Sequence, residues 1–307
     1  MMKTRPLILI AALILAANVA YAQVELHQEH TFDAQPGQTV AIDVSFHKVD
    51  VLVQPGATVH VVVDLFASGS SGKAEKAIAE LTPIFEERGS TLVIRSTRKG
   101  GWNWSSGRLK GSVIVTMPPD LDLSIDSSSG SITIDGDLGD SAVDCDASSG
   151  SITVNGAMRD LSVDTSSGST KAEVTRPLDR FNADASSGSI RLTGGARSAS
   201  VETSSGSITM TGLLGDANMS ASSGSITARW DSIPPGASIH ADASSGSVTL
   251  GLPPGTEVSG TASTSSGGIR SDFPGTFERS SAKFSGGSDA VDIRVSTSSG
   301  GVKVLAE

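Results

Sequence analysis

Nine Ser-Gly turns, most spelled Ser-Ser-Gly-Ser, recur along this chain at a nearly fixed interval. Their glycines are Gly130, Gly150, Gly168, Gly188, Gly206, Gly224, Gly246, Gly267 and Gly300, giving spacings of 20, 18, 20, 18, 18, 22, 21 and 33. A unit of about 20 residues cannot bury an apolar face alone, so stacked copies form a solenoid. Aligning the repeats on the glycine exposes the internal pattern. Seven residues before it stand Leu123, Val143, Leu161, Phe181, Ala199, Ala217 and Ile239. Five before stand Ile125, Cys145, Val163, Ala183, Val201, Met219 and Ala241. Two after it stand Ile132, Ile152, Thr170, Ile190, Ile208, Ile226, Val248 and Ile269, and four after it the apolar series resumes. This is the period-two alternation of a strand with one buried face.

The buried parity changes from odd to even offsets at the glycine. A continuous strand cannot make that change without turning its apolar face to water. Ser-Ser-Gly is therefore a corner, and the expectation is that glycine stands there because the turn needs positive φ. A second, variable turn closes each unit, as at Asp135-Gly136-Asp137, Asn155-Gly156, Gly194-Gly195 and Pro253-Pro254-Gly255. The predicted fold is all-β, a β-solenoid of two-stranded rungs. With 51 Ser and 34 Gly among 307 residues, the chain has a composition that often marks disorder, but disorder does not require this periodicity.

The ends break the pattern. Residues 23–120 read as an N-terminal β-region that caps the solenoid and carries one helix near residues 73–88. There Ala74, Ala77, Ile78, Leu81 and Phe85 fall at helical spacing. Repeats fill residues 121–270. Residues 271–307 read as an insertion followed by a terminal rung around Gly300, with Ile293, Val295, Val302 and Val304 in the repeat columns.

The strand pair closing in Val-x-Val-x-Pro-Gly at 49–56, the Val-Ile-Val-Thr-Met-Pro-Pro step at 113–119 and the ladder from Asp126 to Val304 together resemble the bacterial putative-adhesin family of exported β-solenoids. The resemblance implies a solenoid fold and a cell-envelope setting. It brings no catalytic residues and no cofactor.

Residues 1–22 read as a signal peptide. Lys3 and Arg5 precede an apolar stretch at 7–19, and Ala20-Tyr21-Ala22 is a small-x-small cleavage site. The stretch is shorter than the roughly 20 residues of a membrane span. The expectation is export to the periplasm or the cell surface, with no transmembrane segment once the signal is removed. The full chain has 23 basic and 33 acidic side chains; without Lys3 and Arg5 the balance is 21 against 33, or −12. That charge argues against nucleic acid as a partner. The single cysteine, Cys145, excludes an internal disulfide and a Cys-rich zinc site.

Catalytic patterns are sparse. The chain has no Gly-x-Ser-x-Gly elbow, and its five histidines, His27, His30, His47, His60 and His240, stand outside any catalytic motif. The expectation is a non-enzymatic, adhesin-like scaffold that binds a glycan, an anionic lipid, an envelope polymer or a protein. The alternative is a carbohydrate-active enzyme on a β-helix. His27 and His30 offer two metal ligands in a segment expected to be flexible, without a third ligand nearby. Four residues before the glycines runs an outward acidic column, Asp126, Asp146, Asp164, Asp184, Glu202 and Asp242. It reads as charge that blocks sheet aggregation rather than as a cation site.

One local stretch is basic. Residues 95–110 carry Arg95, Arg98, Lys99, Arg108 and Lys110, no acid, and Trp102 and Trp104. These seven residues are the candidate ligand site, since tryptophan faces stack on sugars and cations meet phosphate or carboxylate. The competing reading is that the tryptophans cover the solenoid end.

Overall fold

The computed structural model describes residues 22–97 and 107–307. They fall into two compact units, the first ending at Ser141 and the second beginning at Ala142.

In the first unit the chain runs through β1 (Ala22–Asp33), β2 (Thr39–Val44), β3 (Lys48–Val53), β4 (Thr58–Gly69), α1 (Ser71–Glu80), β5 (Ile84–Arg88), β6 (Thr91–Ser96), β7 (Arg108–Met117), β8 (Asp122–Ser127) and β9 (Ile132–Asp135). One sheet has the order β1-β4-β7-β3-β9 and the other β8-β2-β6-β5. The pairing β6-β2-β8 and β7-β3-β9 is parallel and in register. It aligns Leu92, Val40 and Leu123, then Ile94, Ile42 and Ile125, then Val113, Val49 and Ile132. All nine are fully buried. The rungs therefore begin well before residue 121, inside what the sequence reads as a cap. The same register places Gly111, His47 and Gly130 in one corner column. A Cβ on Gly130 would lie 1.6 Å from the His47 carbonyl oxygen, and one on Gly111 would lie 2.4 Å from His47 Cδ2.

The helix is shorter than its spacing predicts. It ends at Glu80, and Leu81 closes it through its backbone N–H to the carbonyls of Ala77 and Ile78. Pro83 cannot donate a backbone hydrogen bond and pushes Thr82 out of the helical region. Ile84–Arg88 then turns into β5, antiparallel to β6. Phe85, expected on the helix face, stacks instead on His30 with ring centroids 4.8 Å apart.

The second unit is the ladder itself. Its first sheet stacks the strands Ala142–Ser149, Asp160–Ser167, Leu178–Ser187, Ala196–Ser205, Asp216–Ser223, Ser238–Ala243, Val291–Ser299 and Val258–Ser266 in that order. Its second sheet stacks Ile152–Gly156, Thr170–Val174, Ile190–Thr193, Ile208–Leu213, Ile226–Trp230, Val248–Leu252, Val302–Ala306 and Ile269–Ser271. The inward columns match the sequence alignment: Phe181, Val201 and Met219 are buried on one side, and Ile190, Ile208 and Ile226 on the other. Trp230 is buried and donates its Nε1–H to the Gly215 carbonyl at 2.8 Å. Cys145 is fully buried, and burial pushes its thiol pKa up, so it stays protonated.

The rung around Gly300 is not terminal in space. It inserts between the rungs of Gly246 and Gly267. The 33-residue spacing gives the chain room to run outward and return. On the way, Ser281–Phe284 pairs antiparallel with the outer side of Val258–Ser266 and covers that edge.

The two faces of one strand should respond differently to substitution. Ile208→Val, in the core column, should cost about 1 kcal/mol. Thr209→Ala, on the outward side, should change stability by under about 0.5 kcal/mol. Urea unfolding of both variants checks this, and equal effects would contradict the assigned faces.

Candidate ligand-binding cleft

Three of the seven candidate residues are described: Arg95, Arg108 and Lys110. Arg98, Lys99, Trp102 and Trp104 lie outside the described residues. Arg95 stands on β6, where its Nε lies 3.5 Å from Asp43 Oδ2 on β2. The Asp43 carboxyl is raised above its ordinary pKa, first by burial and then by Asp126 beside it, with Arg95 opposing. Arg95 thus serves a partly covered carboxylate in one sheet, while Arg108 and Lys110 stand in the other.

Arg108 and Lys110 open β7, which runs antiparallel to β4. That register sets Lys110 opposite Phe66 and Arg108 opposite Ser68. On the other side of β4, Gln23 of β1 pairs with Ser68. The Arg108 backbone N–H donates to Ser68 Oγ at 3.1 Å and ties the strand ends together. Gln23, Phe66, Ser68, Gly107, Arg108 and Lys110 line a cleft of about 690 Å³. The alternation of β4 explains the placement. Val59, Val61, Val63 and Leu65 point into the core, so Phe66 and Ser68 face out. Sequence reading finds the two cations but not Gln23, Phe66 or Ser68. The alternation of residues 58–69 fixes their outward face, whereas the cross-strand register that sets them beside Arg108 and Lys110 is absent from the local sequence.

The histidines occupy distinct settings. Residues 27–30 are not a flexible tail: all twelve residues of β1 pair with β4. His27 and His30 do not form a ligand pair, because they face opposite sides of the strand. His27 reaches Asp64 Oδ1 through Nδ1 at 2.6 Å and Glu29 Oε1 through Nε2 at 3.1 Å. The Asp64 hydrogen bond, followed by that of Glu29, raises the His27 pKa. His30 packs edge-on to Phe32 and flat on Phe85, and burial lowers its pKa. Among the described residues, no group of three His, Cys, Asp or Glu side chains is placed to hold a metal ion. No helix among them is long and apolar enough to cross a membrane.

The acidic column faces outward along its length, and its members Asp146, Asp164, Asp184 and Glu202 stack in direct register. Corner hydrogen bonds tie successive rungs of the second unit together, with Gly168 N donating to Ser187 O at 3.1 Å and Gly188 N to Ser205 O at 3.0 Å.

No curated protein matches the chain. Among solved structures it is similar to a putative lipid binding protein from Parabacteroides distasonis, at 15% identity and a TM-score of 0.47, covering 91% of this chain and 97% of that one. A putative adhesin from Bacteroides fragilis is similar at 13% identity and a TM-score of 0.43, covering 91% and 96%. A putative adhesin from Parabacteroides distasonis is similar at 13% identity and a TM-score of 0.45, covering 90% and 96%. The family model Toastrack DUF4097 matches residues 39–305. That match spans both units and nearly every rung, and the chain belongs to the Toastrack DUF4097 family.

Proposed function

We propose that this protein is a non-catalytic, exported scaffold of the cell envelope or surface, and that it binds an anionic envelope glycan or lipid headgroup in the cleft at Phe66. The observation that carries this reading is the lining itself. One aromatic ring lies across from Lys110, with Arg108 in the adjoining cross-strand row, and no acid lines the cleft among the described residues. A ring offers an apolar face to a sugar or an acyl-glycerol carbon, and the two cations meet phosphate or carboxylate. Gln23 and Ser68 supply the uncharged polar groups that orient such a ligand. The export signal read at residues 1–22 and the family's solenoid fold support an envelope setting.

The test is retention of the purified protein on peptidoglycan, on lipopolysaccharide and on vesicles with and without anionic lipid. Arg108→Glu with Lys110→Glu should weaken retention about tenfold or more at low salt and less at high salt, where screening shortens the reach of charge. Phe66→Ala should weaken it at both. The three surfaces separate a glycan ligand from a lipid ligand. Retention unchanged in both variants would overturn the assignment of the cleft.

A further inference from the structure

The second unit has two outward faces of opposite charge. On one, Asp146, Asp164, Asp184 and Glu202 stand on successive rungs, stacked in register, and all are exposed. Beside them, Asp160 is paired with Arg180 and Asp292 with Arg294. Asp164, Asp184 and Glu202 have no cation of their own chain beside them among the described residues. Adjacent rungs are about 4.8 Å apart, a spacing at which like charges in register repel. On the opposite face the corresponding column reads Thr153, Lys171, Arg191, Thr209, Thr227, Thr249, Lys303 and Arg270 in spatial order. Lys171 lies 2.8 Å from Glu173, and Arg191 has no carboxylate beside it among the described residues.

The two faces share one pitch. Asp164 and Lys171 belong to the rung of Gly168, and Asp184 and Arg191 to the rung of Gly188. Two adjacent carboxylates on one side are thus spaced as two adjacent cations are on the other. We propose that these faces are complementary docking surfaces for a second copy of this chain, the Lys171–Arg191 face of one copy seating on the Asp164–Asp184–Glu202 face of the next. Such a contact joins two different surfaces, so it leaves a free face of each sign and adds further copies rather than closing as a dimer. It also sets cations beside Asp164, Asp184 and Glu202, whose stacked carboxylates repel one another along the column. The net charge of −10 opposes association at long range. At physiological ionic strength that repulsion is screened beyond about 8 Å, while touching faces are screened far less.

The experiment is sedimentation velocity on the purified protein. At about 50 mM salt the parent should sediment as a concentration-dependent series of assemblies, and at about 500 mM as single chains. Lys171→Glu with Arg191→Glu should abolish assembly, and so should Asp164→Lys with Asp184→Lys. All four positions are exposed, and matching circular dichroism melts will verify that both variants fold. Mixing the two variants pairs the reversed basic face of one with the reversed acidic face of the other and should restore assembly. The proposal is overturned by a parent that stays single-chain at low salt, by variants that assemble as the parent does, or by a mixture that remains single-chain. A single-chain parent that retains a soluble polyanion through Lys171 and Arg191 would assign the basic face to a polymer instead.

Discussion

Gly188→Val should destabilise the second unit by about 4 kcal/mol or more, a size reserved for severe backbone or core disruption. The reason is not the one the sequence suggests. Gly188 is not among the glycines with positive φ. What forbids a side chain is the rung beside it: a Cβ at Gly188 would lie 1.7 Å from the Gly168 carbonyl oxygen and 2.6 Å from its carbon. Gly168, Gly206, Gly224 and Gly246 stand in the same relation to the rung beside each of them, at 1.7 to 1.9 Å. The corners stack so closely that each glycine occupies the space a methyl group would need. Valine can be placed only by separating two rungs, which breaks the bonds from Gly168 N to Ser187 O at 3.1 Å and from Thr170 N to Ser189 O at 3.0 Å. Gly72→Ala is the control. Nothing lies within 4 Å of a Cβ there, and its φ is unexceptional. It should be neutral or stabilising by up to about 1 kcal/mol, since alanine narrows the unfolded ensemble. Equilibrium urea unfolding compares the two. A Gly188→Val protein within 1 kcal/mol of the parent would mean that the corners are not stacked as described.

The ladder was legible because its signal is redundant. The columns of Phe181, Val201 and Met219 and of Ile190, Ile208 and Ile226 repeat often enough to fix face, corner and period together. The first unit hides the same architecture for two physical reasons. Its rungs are out of chain order, with β2 and β3 paired between strands that come later in the sequence. The corner between β2 and β3 also lacks the Ser-Ser-Gly spelling and reads Ser45-Phe46-His47-Lys48. The signal was nonetheless present. Val40, Ile42, Val44, Val49 and Val51 stand at the same offsets from His47 as the ladder columns do from Gly130. The cleft was half legible for a different reason. Arg108 and Lys110 announce themselves by charge, but Phe66 joins them only through an antiparallel register. Register depends on long-range pairing, and alternation within one strand cannot specify it.

His47 makes the stability of the first unit depend on pH. It sits in the corner column, fully buried, with its ring against Gly111. Ser96 Oγ lies 2.6 Å from the Leu81 carbonyl and 3.1 Å from His47 Nε2. The hydroxyl has one proton, and the carbonyl can only accept it. Ser96 therefore donates to Leu81, and His47 Nε2–H donates to Ser96. Nδ1 is left with a bare lone pair, buried and without a partner. Protonation would place a charged N–H there with no acceptor, and burial accordingly lowers the pKa from 6.5 to about 4. The folded state thus binds the proton more weakly than the unfolded chain. Its stability is fully present above pH 6.5 and falls as pH drops from there through about 4. At about 1.36 kcal/mol per unit, the loss between pH 7 and pH 4.5 should be about 2.5 kcal/mol. His30, also lowered by burial, adds to the loss, and His27, raised by Asp64 and Glu29, opposes it. The isolating variant is His47→Gln, whose amide can still donate to Ser96 but does not titrate. Urea unfolding at pH 7 and pH 4.5 should show a large drop for the parent and a much smaller one for His47→Gln, whatever the variant's stability at pH 7. Equal drops in the two proteins would show that the buried ring at this corner is not the acid-sensitive group.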